Sequence, residues 1–351
     1  MNVPLWVWLL TAVVVAGLIV FDFFAHVRTP HEPTFRESAW WSGAYIAFAL
    51  AFGVALGLVW DWGHAGEYFA GYVTEKSLSV DNLFVFLIIM TRFAVPRMYQ
   101  QKVLLVGVVI ALVLRTAFIL LGAAAIEQFS WVFYVFGAFL LYTAVKLVRE
   151  HDDEPLEEQA AHRGDGLMVR WLKRVVPTTD TYHDDRLTVR VDGRRVFTPM
   201  LVVMVAIGTT DVLFALDSIP AIYGLTEEPY IVFTANAFAL LGLRQLYFLI
   251  GGLLERLVYL AQGLAVILGF IGVKLVLHAL HTNELPFING GEPVEWAPEI
   301  PTWASLAFIL ATLAVATVAS LVATRRGREV TDGSAASPDN ATATTRRIDE
   351  N

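Results

Sequence analysis

Cysteine is absent from all 351 residues. That excludes disulfides, thiolate zinc sites, iron–sulfur clusters and thiol redox chemistry. Charge is also scarce: 17% of residues are Asp, Glu, Lys or Arg, against about 25% in soluble domains. There is no basic excess, since 33 acids outnumber 25 bases for a formal charge of −8. A nucleic-acid binder should carry a basic patch or stripe, so that class is disfavoured. No nucleophile elbow, phosphate loop or metal-hydrolase motif occurs, so an enzyme is not expected. What abounds is apolar surface, 56% of the residues, which points to lipid as the partner.

Nine apolar stretches are each about 20 residues, the length that crosses a bilayer. They run roughly over 4–21, 39–60, 68–91, 103–125, 129–149, 199–224, 230–254, 258–280 and 301–323. The first has no basic residue before it and no small-residue cleavage site, so it is expected to be a helix rather than a removed signal peptide. The third and sixth carry charges. Lys and Arg collect in alternate connections: Arg28 and Arg36, then Arg92, Arg97 and Lys102, then segment 150–198, then Arg325, Arg326 and Arg328. By the positive-inside rule, the N-terminus is outside and the C-terminus cytoplasmic, in the inner or plasma membrane of the cell. Trp40, Trp41, Trp60 and Trp62 bracket the second span as an interfacial belt.

The chain divides into helices one and two (1–66), a three-helix unit (67–149), a charged cytoplasmic loop (150–198), a second three-helix unit (199–280), an outer loop with helix nine (281–323) and a disordered cytoplasmic tail (324–351). Within the loop, 178–198 reads as a hairpin around Asp192-Gly193. His151, His162 and His183 match no metal-ligand spacing there, and a solvated loop is the simpler reading.

The two three-helix units share a charge pattern. Glu75 precedes Asp81 as Asp211 precedes Asp217. Leu114-Arg115 with Gly122 matches Leu243-Arg244 with Gly251, and Lys146 matches Lys274. Three is odd, so the second copy enters from the opposite side. The expectation is an all-α polytopic membrane protein of about nine helices with an inverted repeat of spans 3–5 and 6–8, a plan of secondary transporters whose ion site lies where the copies meet.

A charge at the centre of a lipid-facing helix costs about 2.5–3.5 kcal/mol on insertion scales, so these groups should face inward. One reading places Glu75, Asp81, Asp211 and Asp217 around a cation path, with Asn82 and Asn236 as neutral oxygen donors. The other has the acids neutralise Arg115, Arg244, Lys76, Lys146 and Lys274 in buried pairs that set packing. The two are compatible. Glu75, Ser79 and Asn82 share one helix face, as do Asp211, Ala215 and Ser218, whereas residues six apart lie about 240° around an ideal helix. For both acids of a span to reach one ion, that helix must break. Gly71, Gly208 and Pro220 are candidate break points. Lys76 is either an internal counter-ion or a snorkelling anchor.

Oxygen ligands without Cys or His suit Mg²⁺, Ca²⁺ or Mn²⁺. Met204 could add a soft sulfur that favours Mn²⁺, although Met is more often filler.

The run from Gly71 to Phe86 (GYVTEKSLSVDNLFVF) and the run from Asp211 to Ile222 (DVLFALDSIPAI) resemble the signatures of the TerC/Alx family of membrane proteins. Asn236–Phe248 and Gly263–Lys274 are similar to its later blocks, so the resemblance covers about 40–280. It implies a nine-helix protein, named for tellurium resistance and linked to manganese efflux, in a wider group of exporters built on inverted three-helix repeats. It also implies that the acids at 75, 81, 211 and 217 matter for transport. Some members are described as redox modulators, which the lack of cysteine disfavours here. This chain departs from the pattern at Gly208, where many members carry an acid, and at Ala235 and Gln262.

The expected function is export of a divalent cation, foremost Mn²⁺, against protons, with no permanently bound cofactor. The competing expectation is a membrane scaffold or assembly factor without transport activity, binding a protein partner through 150–198.

Overall fold

The computed structural model describes residues 1, 3–27, 33–129, 131–153, 179, 182, 186–191, 194–250, 259–283, 285, 286, 288–294 and 296–335. Ten α-helices account for nearly all of it. They are α1 (Leu5–Asp22), α2 (Phe35–Val59), α3 (Trp62–Arg92), α4 (Arg97–Gln128), α5 (Val132–Asp153), α6 (Pro199–Tyr223), α7 (Pro229–Leu240), α8 (Leu243–Ile250), α9 (Leu260–His281) and α10 (Thr302–Ala335). A π-helical turn, Phe23–Val27, follows α1. Among the described residues, eight helical stretches are long and apolar enough to cross a membrane, α7 and α8 counting together as Pro229–Leu249. The expected third span, α3, is 31 residues long but carries Glu67, Glu75, Lys76, Asp81 and Arg92, too many charges to qualify by composition.

Local chemistry sets the helix starts. Asp61 caps α3 by accepting from the His64 backbone N–H at 3.0 Å, and this bond with the His64 ring holds its carboxyl below the usual carboxylate range. Thr34 caps α2 from the Glu37 N–H. Pro199 and Pro229 open α6 and α7, where a missing N–H costs nothing.

The expected hairpin is present. β1 (Thr188–Val191) pairs antiparallel with β2 (Arg194–Phe197), with Val191 opposite Arg194. Its turn, 192–193, and most of 150–198 lie outside the described residues, as do His162, His183 and the side chain of His151. Tyr182 donates to the Phe93 carbonyl at 2.7 Å, which ties this region to the α3–α4 connection. Arg92 and Arg97 flank that connection, and we call this the basic end.

Five pairings join the two three-helix units: α5 on α9, α3 on α7, α4 on α6, α3 on α6 and α4 on α7; α10 packs on α3 and α9, and α2 on α3 and α8. The α5–α9 crossing is glycine on glycine. A Cβ on Gly137 would stand 3.0 Å from the Gly272 carbonyl, and one on Gly272 3.1 Å from the Gly137 carbonyl. α7 is the innermost element, buried from Tyr230 to Leu240. Large apolar side chains such as Trp6, Leu58, Val113, Leu121, Val135 and Val315 point outward, as lipid-facing positions do.

Three expectations are corrected. First, α3 and α6 run unbroken. Gly71 and Gly208 permit close packing instead: a Cβ on Gly71 would lie 3.2 Å from Ile222 Cδ1, and one on Gly208 3.2 Å from Ile110 Cγ2. Pro220 lies in the last turn of α6, which stays helical to Tyr223. Second, the interrupted span is the seventh, broken between α7 and α8. Leu241 leaves the helix with ψ 134°, and Gly242 takes φ +77°, a conformation that only glycine adopts without strain. Third, helix α10 continues through 324–335 where a disordered tail was expected; no proline intervenes before Pro338, and residues beyond 335 are not described.

Candidate functional site

The polar residues of the membrane core come from the middles of three long helices. Glu75 is near the centre of α3, Arg115 near that of α4 and Asp211 at that of α6. All are 0–1% exposed. Arg115 joins them: Nη1 donates to Glu75 Oε2 at 2.6 Å and Nη2 to Asp211 Oδ1 at 3.4 Å. With its amide oxygen turned toward the guanidinium, Asn82 accepts from Nη2 at 3.2 Å, while its Nδ2 donates to the Leu78 carbonyl at 3.1 Å. One guanidinium thus faces two carboxylates, and the formal balance is −1.

Pairing here is incomplete. Glu75 Oε1, Asp211 Oδ2 and Arg115 Nε are buried with no partner among the described residues. The same holds for Thr74 Oγ1, Ser79 Oγ, Ser218 Oγ and both polar atoms of Asn236. All of these residues lie on α3, α4, α6 and α7, with α3 and α4 each packed on α6 and α7. A buried unsatisfied polar group costs about 1–3 kcal/mol, and native proteins tolerate few. A seam this rich in oxygen is the kind of place where water or an ion completes the bonding. Thr74, Ser218 and Asn236 lie on the side of the triad away from the basic end, and Ser79 and Asn82 on the side toward it.

Asp217 is placed elsewhere, one and two-thirds helical turns along α6 from Asp211. It accepts from Thr143 Oγ1 at 3.1 Å and lines a cleft of about 230 Å³ between α3, α5, α6 and α9 with Asn82, Thr143 and Lys146. Its walls are Leu and Phe, and Tyr142, Leu213 and Leu216 at the rim are exposed. Asn82 is common to the cleft and the triad. The Asp81 side chain is outside the described residues. Among those described, no three Asp, Glu or His side chains form a ready-made metal cluster.

Arg244 has other business. Its Nε and Nη2 clasp Asp22 at 3.0 and 2.7 Å, and Nη1 donates to Gln101. Gln245 and Tyr45 also donate to Asp22, at 2.7 and 3.3 Å. Asp22, Gln101 and Gln245 escaped the sequence reading. The available signal was one acid inside the run Val20–Phe24, which is otherwise apolar.

Lys76 is drawn from Glu75 toward the broken span. Its Nζ donates to the carbonyls of Ala239 and Leu241 at 3.0 and 3.4 Å, neutralising the orphan carbonyls at the end of α7. Lys274 lies within electrostatic reach of Glu67 and Glu227 at the other end of the bundle. There Thr226 donates to Glu67 at 2.6 Å, and His278 Nε2 stands 2.8 Å from Glu227 Oε1. That contact, first as a hydrogen bond, holds the Glu227 carboxyl below its ordinary range. Met204 is buried among Phe86, Leu104 and Val203 in an apolar cluster, as filler.

The sequence matches the model of the integral membrane protein TerC family over residues 60–328. It is 51% identical to an uncharacterized membrane protein of Mycobacterium tuberculosis, over 91% of this chain and 80% of that protein. It is 42% identical to an Escherichia coli protein named as a candidate membrane-bound redox modulator, Alx, over 76% of this chain and 84% of that one. A Myxococcus xanthus membrane protein is 36% identical over 89% and 90% respectively. No solved structure matches.

Proposed function

Given that the chain belongs to the TerC family of integral membrane proteins and is a multi-pass membrane protein, we propose that it is a secondary transporter, not an enzyme. Its cargo is a divalent cation, foremost Mn²⁺, exported from the cytoplasm in exchange for protons across the inner or plasma membrane. No resident cofactor is needed. The observation that carries this reading is the buried seam: two carboxylates facing a single guanidinium, each with an oxygen unpaired among the described residues, flanked by unpartnered hydroxyl and amide groups. Carboxylates in such a place can hold a divalent ion when ionised and release it when protonated.

The helix pairing supports an inverted repeat. Exchanging α3, α4 and α5 with α6, α7 and α9 leaves the five closest pairings between the two three-helix units unchanged. In this reading the cleft at Asn82, Thr143, Asp217 and Lys146 receives the ion, and Glu75, Asp81, Asp211 and Asn236 carry it onward. Lys76, Arg115, Lys146, Ser218, Arg244 and Lys274 support the path or its packing. The redox role in the name of the Escherichia coli relative would need something other than thiols in this chain, which has no cysteine.

The test is flux with purified protein in proteoliposomes, comparing Mn²⁺, Mg²⁺, Ca²⁺ and Zn²⁺, for the wild type and for Asp81→Asn, Asp211→Asn and Asp217→Asn. Mn²⁺ flux driven by a proton gradient, lost in the variants at equal protein levels, is the expected result. Wild-type flux of none of the four ions, or full flux in all three variants, defeats the reading.

A further inference from the structure

We propose that Arg115 is a tethered rival of the transported cation, a built-in positive charge that occupies the ion's place and must withdraw before the ion can settle. This rests on the reading of Glu75 and Asp211 as ion-binding groups, and it adds a role for the residue between them.

Three observations carry it. A guanidinium with only a structural task would be expected to use its donors fully, yet Arg115 Nε has no partner among the described residues and the bond to Asp211 is long at 3.4 Å. Each carboxylate likewise holds Arg115 by one oxygen, leaving the other unpaired among the described residues. A guanidinium matched to a carboxylate makes two parallel bonds, as Arg244 does with Asp22 in this same protein. Finally, Arg115 Nη2 touches Asn82, and Asn82 lines the cleft. An ion moving inward past Asn82 meets the guanidinium first.

Counted over Glu75, Arg115 and Asp211 alone, the charge favours exchange over co-occupancy. Two carboxylates with Arg115 total −1; with a divalent ion in its place they total zero. Ion and guanidinium together would leave +1 on these buried groups. Arg115 therefore also supplies a means of release: returning to the two acids, it displaces the ion.

The experiment is equilibrium Mn²⁺ binding to the full-length protein in nanodiscs near neutral pH, wild type against Arg115→Ala. Removing a like charge at a few ångströms should tighten Mn²⁺ binding about tenfold or more. Proteoliposome flux should fall nonetheless, with a lower KM and a lower kcat. Guanidinium ion far below denaturing concentrations should weaken Mn²⁺ binding to the variant, whose cavity it fills, and leave the wild type unchanged. Binding to the folded variant that is unchanged or weaker overturns the proposal, as does a lack of guanidinium competition. If Arg115→Ala does not fold, Glu75→Gln/Arg115→Gln, whose formal charge stays at −1, is compared with Glu75→Gln alone. Tighter Mn²⁺ binding by the double variant supports the proposal and equal binding overturns it. The two readings fail separately: no binding or flux of any divalent ion in the wild type defeats the transporter, whereas wild-type flux without tightening defeats only the rival role of Arg115.

Discussion

The Asp22–Arg244 clasp offers the sharpest test of how charge is apportioned in this membrane core. Asp22 accepts two bonds from Arg244, at 3.0 and 2.7 Å, a third from Gln245 at 2.7 Å and a fourth from Tyr45 at 3.3 Å. Arg244 is 3% exposed and Asp22 6%. Asp22→Asn keeps the shape but strands the guanidinium. Breaking a buried pair by removing one partner costs about 3–5 kcal/mol, and because Asn retains one acceptor and Gln101 still binds Arg244, the lower figure, about 3 kcal/mol, is expected. Arg244→Gln should cost a similar amount, since it leaves the carboxylate facing Gln245 and Tyr45. The double variant leaves neither charge stranded, so its cost should be close to that of one single change rather than to their sum. Denaturation in mixed micelles, followed by the fluorescence of the 10 tryptophans, measures all four corners of the cycle. Costs that add within about 0.5 kcal/mol would mean the two groups do not interact, and the assignment of Arg244 to Asp22 would be wrong.

Other expectations follow from single contacts. Gly242→Ala puts a Cβ at φ +77°, 3.0 Å from Tyr45 Cβ; it should destabilise by roughly 1–2 kcal/mol, and a neutral effect in the same assay would argue against the break at α7–α8. Gly272→Leu forces α5 and α9 apart, since even a Cβ there lies 3.1 Å from the Gly137 carbonyl. A loss of about 1–3 kcal/mol is expected, and wild-type stability would show that the crossing is not this close. Glu227→Gln probes pH dependence. The His278 contact depresses the carboxyl, so its stabilisation is present above the unfolded value of about 4.3 and is lost as pH falls through the lower folded one. The pair is part exposed, so the variant should lose only about 0.2–1 kcal/mol near neutral pH, with the gap closing only below that unfolded value, where the carboxyl takes up its proton; a gap still widening there contradicts the assigned direction.

Much of the architecture was legible because lipid imposes simple rules. Runs of about 20 apolar residues cross a bilayer, and most spans were found to within a few residues. The 3.6-residue period put Glu75 and Asn82 on one face of α3, and both do meet Arg115. Other features were not legible. Glycine was read as a breaker at 71 and 208, but glycine serves close approach equally well, and the choice depends on which neighbour arrives. The actual break at Gly242 had the same local signal as several unbroken sites. Asp22 sat at the edge of a span and passed for a loop residue.

The sequence by itself determined that acids and arginines would be buried together, because an apolar solvent leaves such groups nowhere else to go. It could not determine who pairs with whom. Symmetry of pattern suggested equal roles for Arg115 and Arg244, yet the fold gives one to two carboxylates at the centre and the other to Asp22 on α1. The reason is physical: hydropathy and period are properties of one helix, whereas a salt bridge depends on the rotation and height of two, and those are set only when the whole bundle packs.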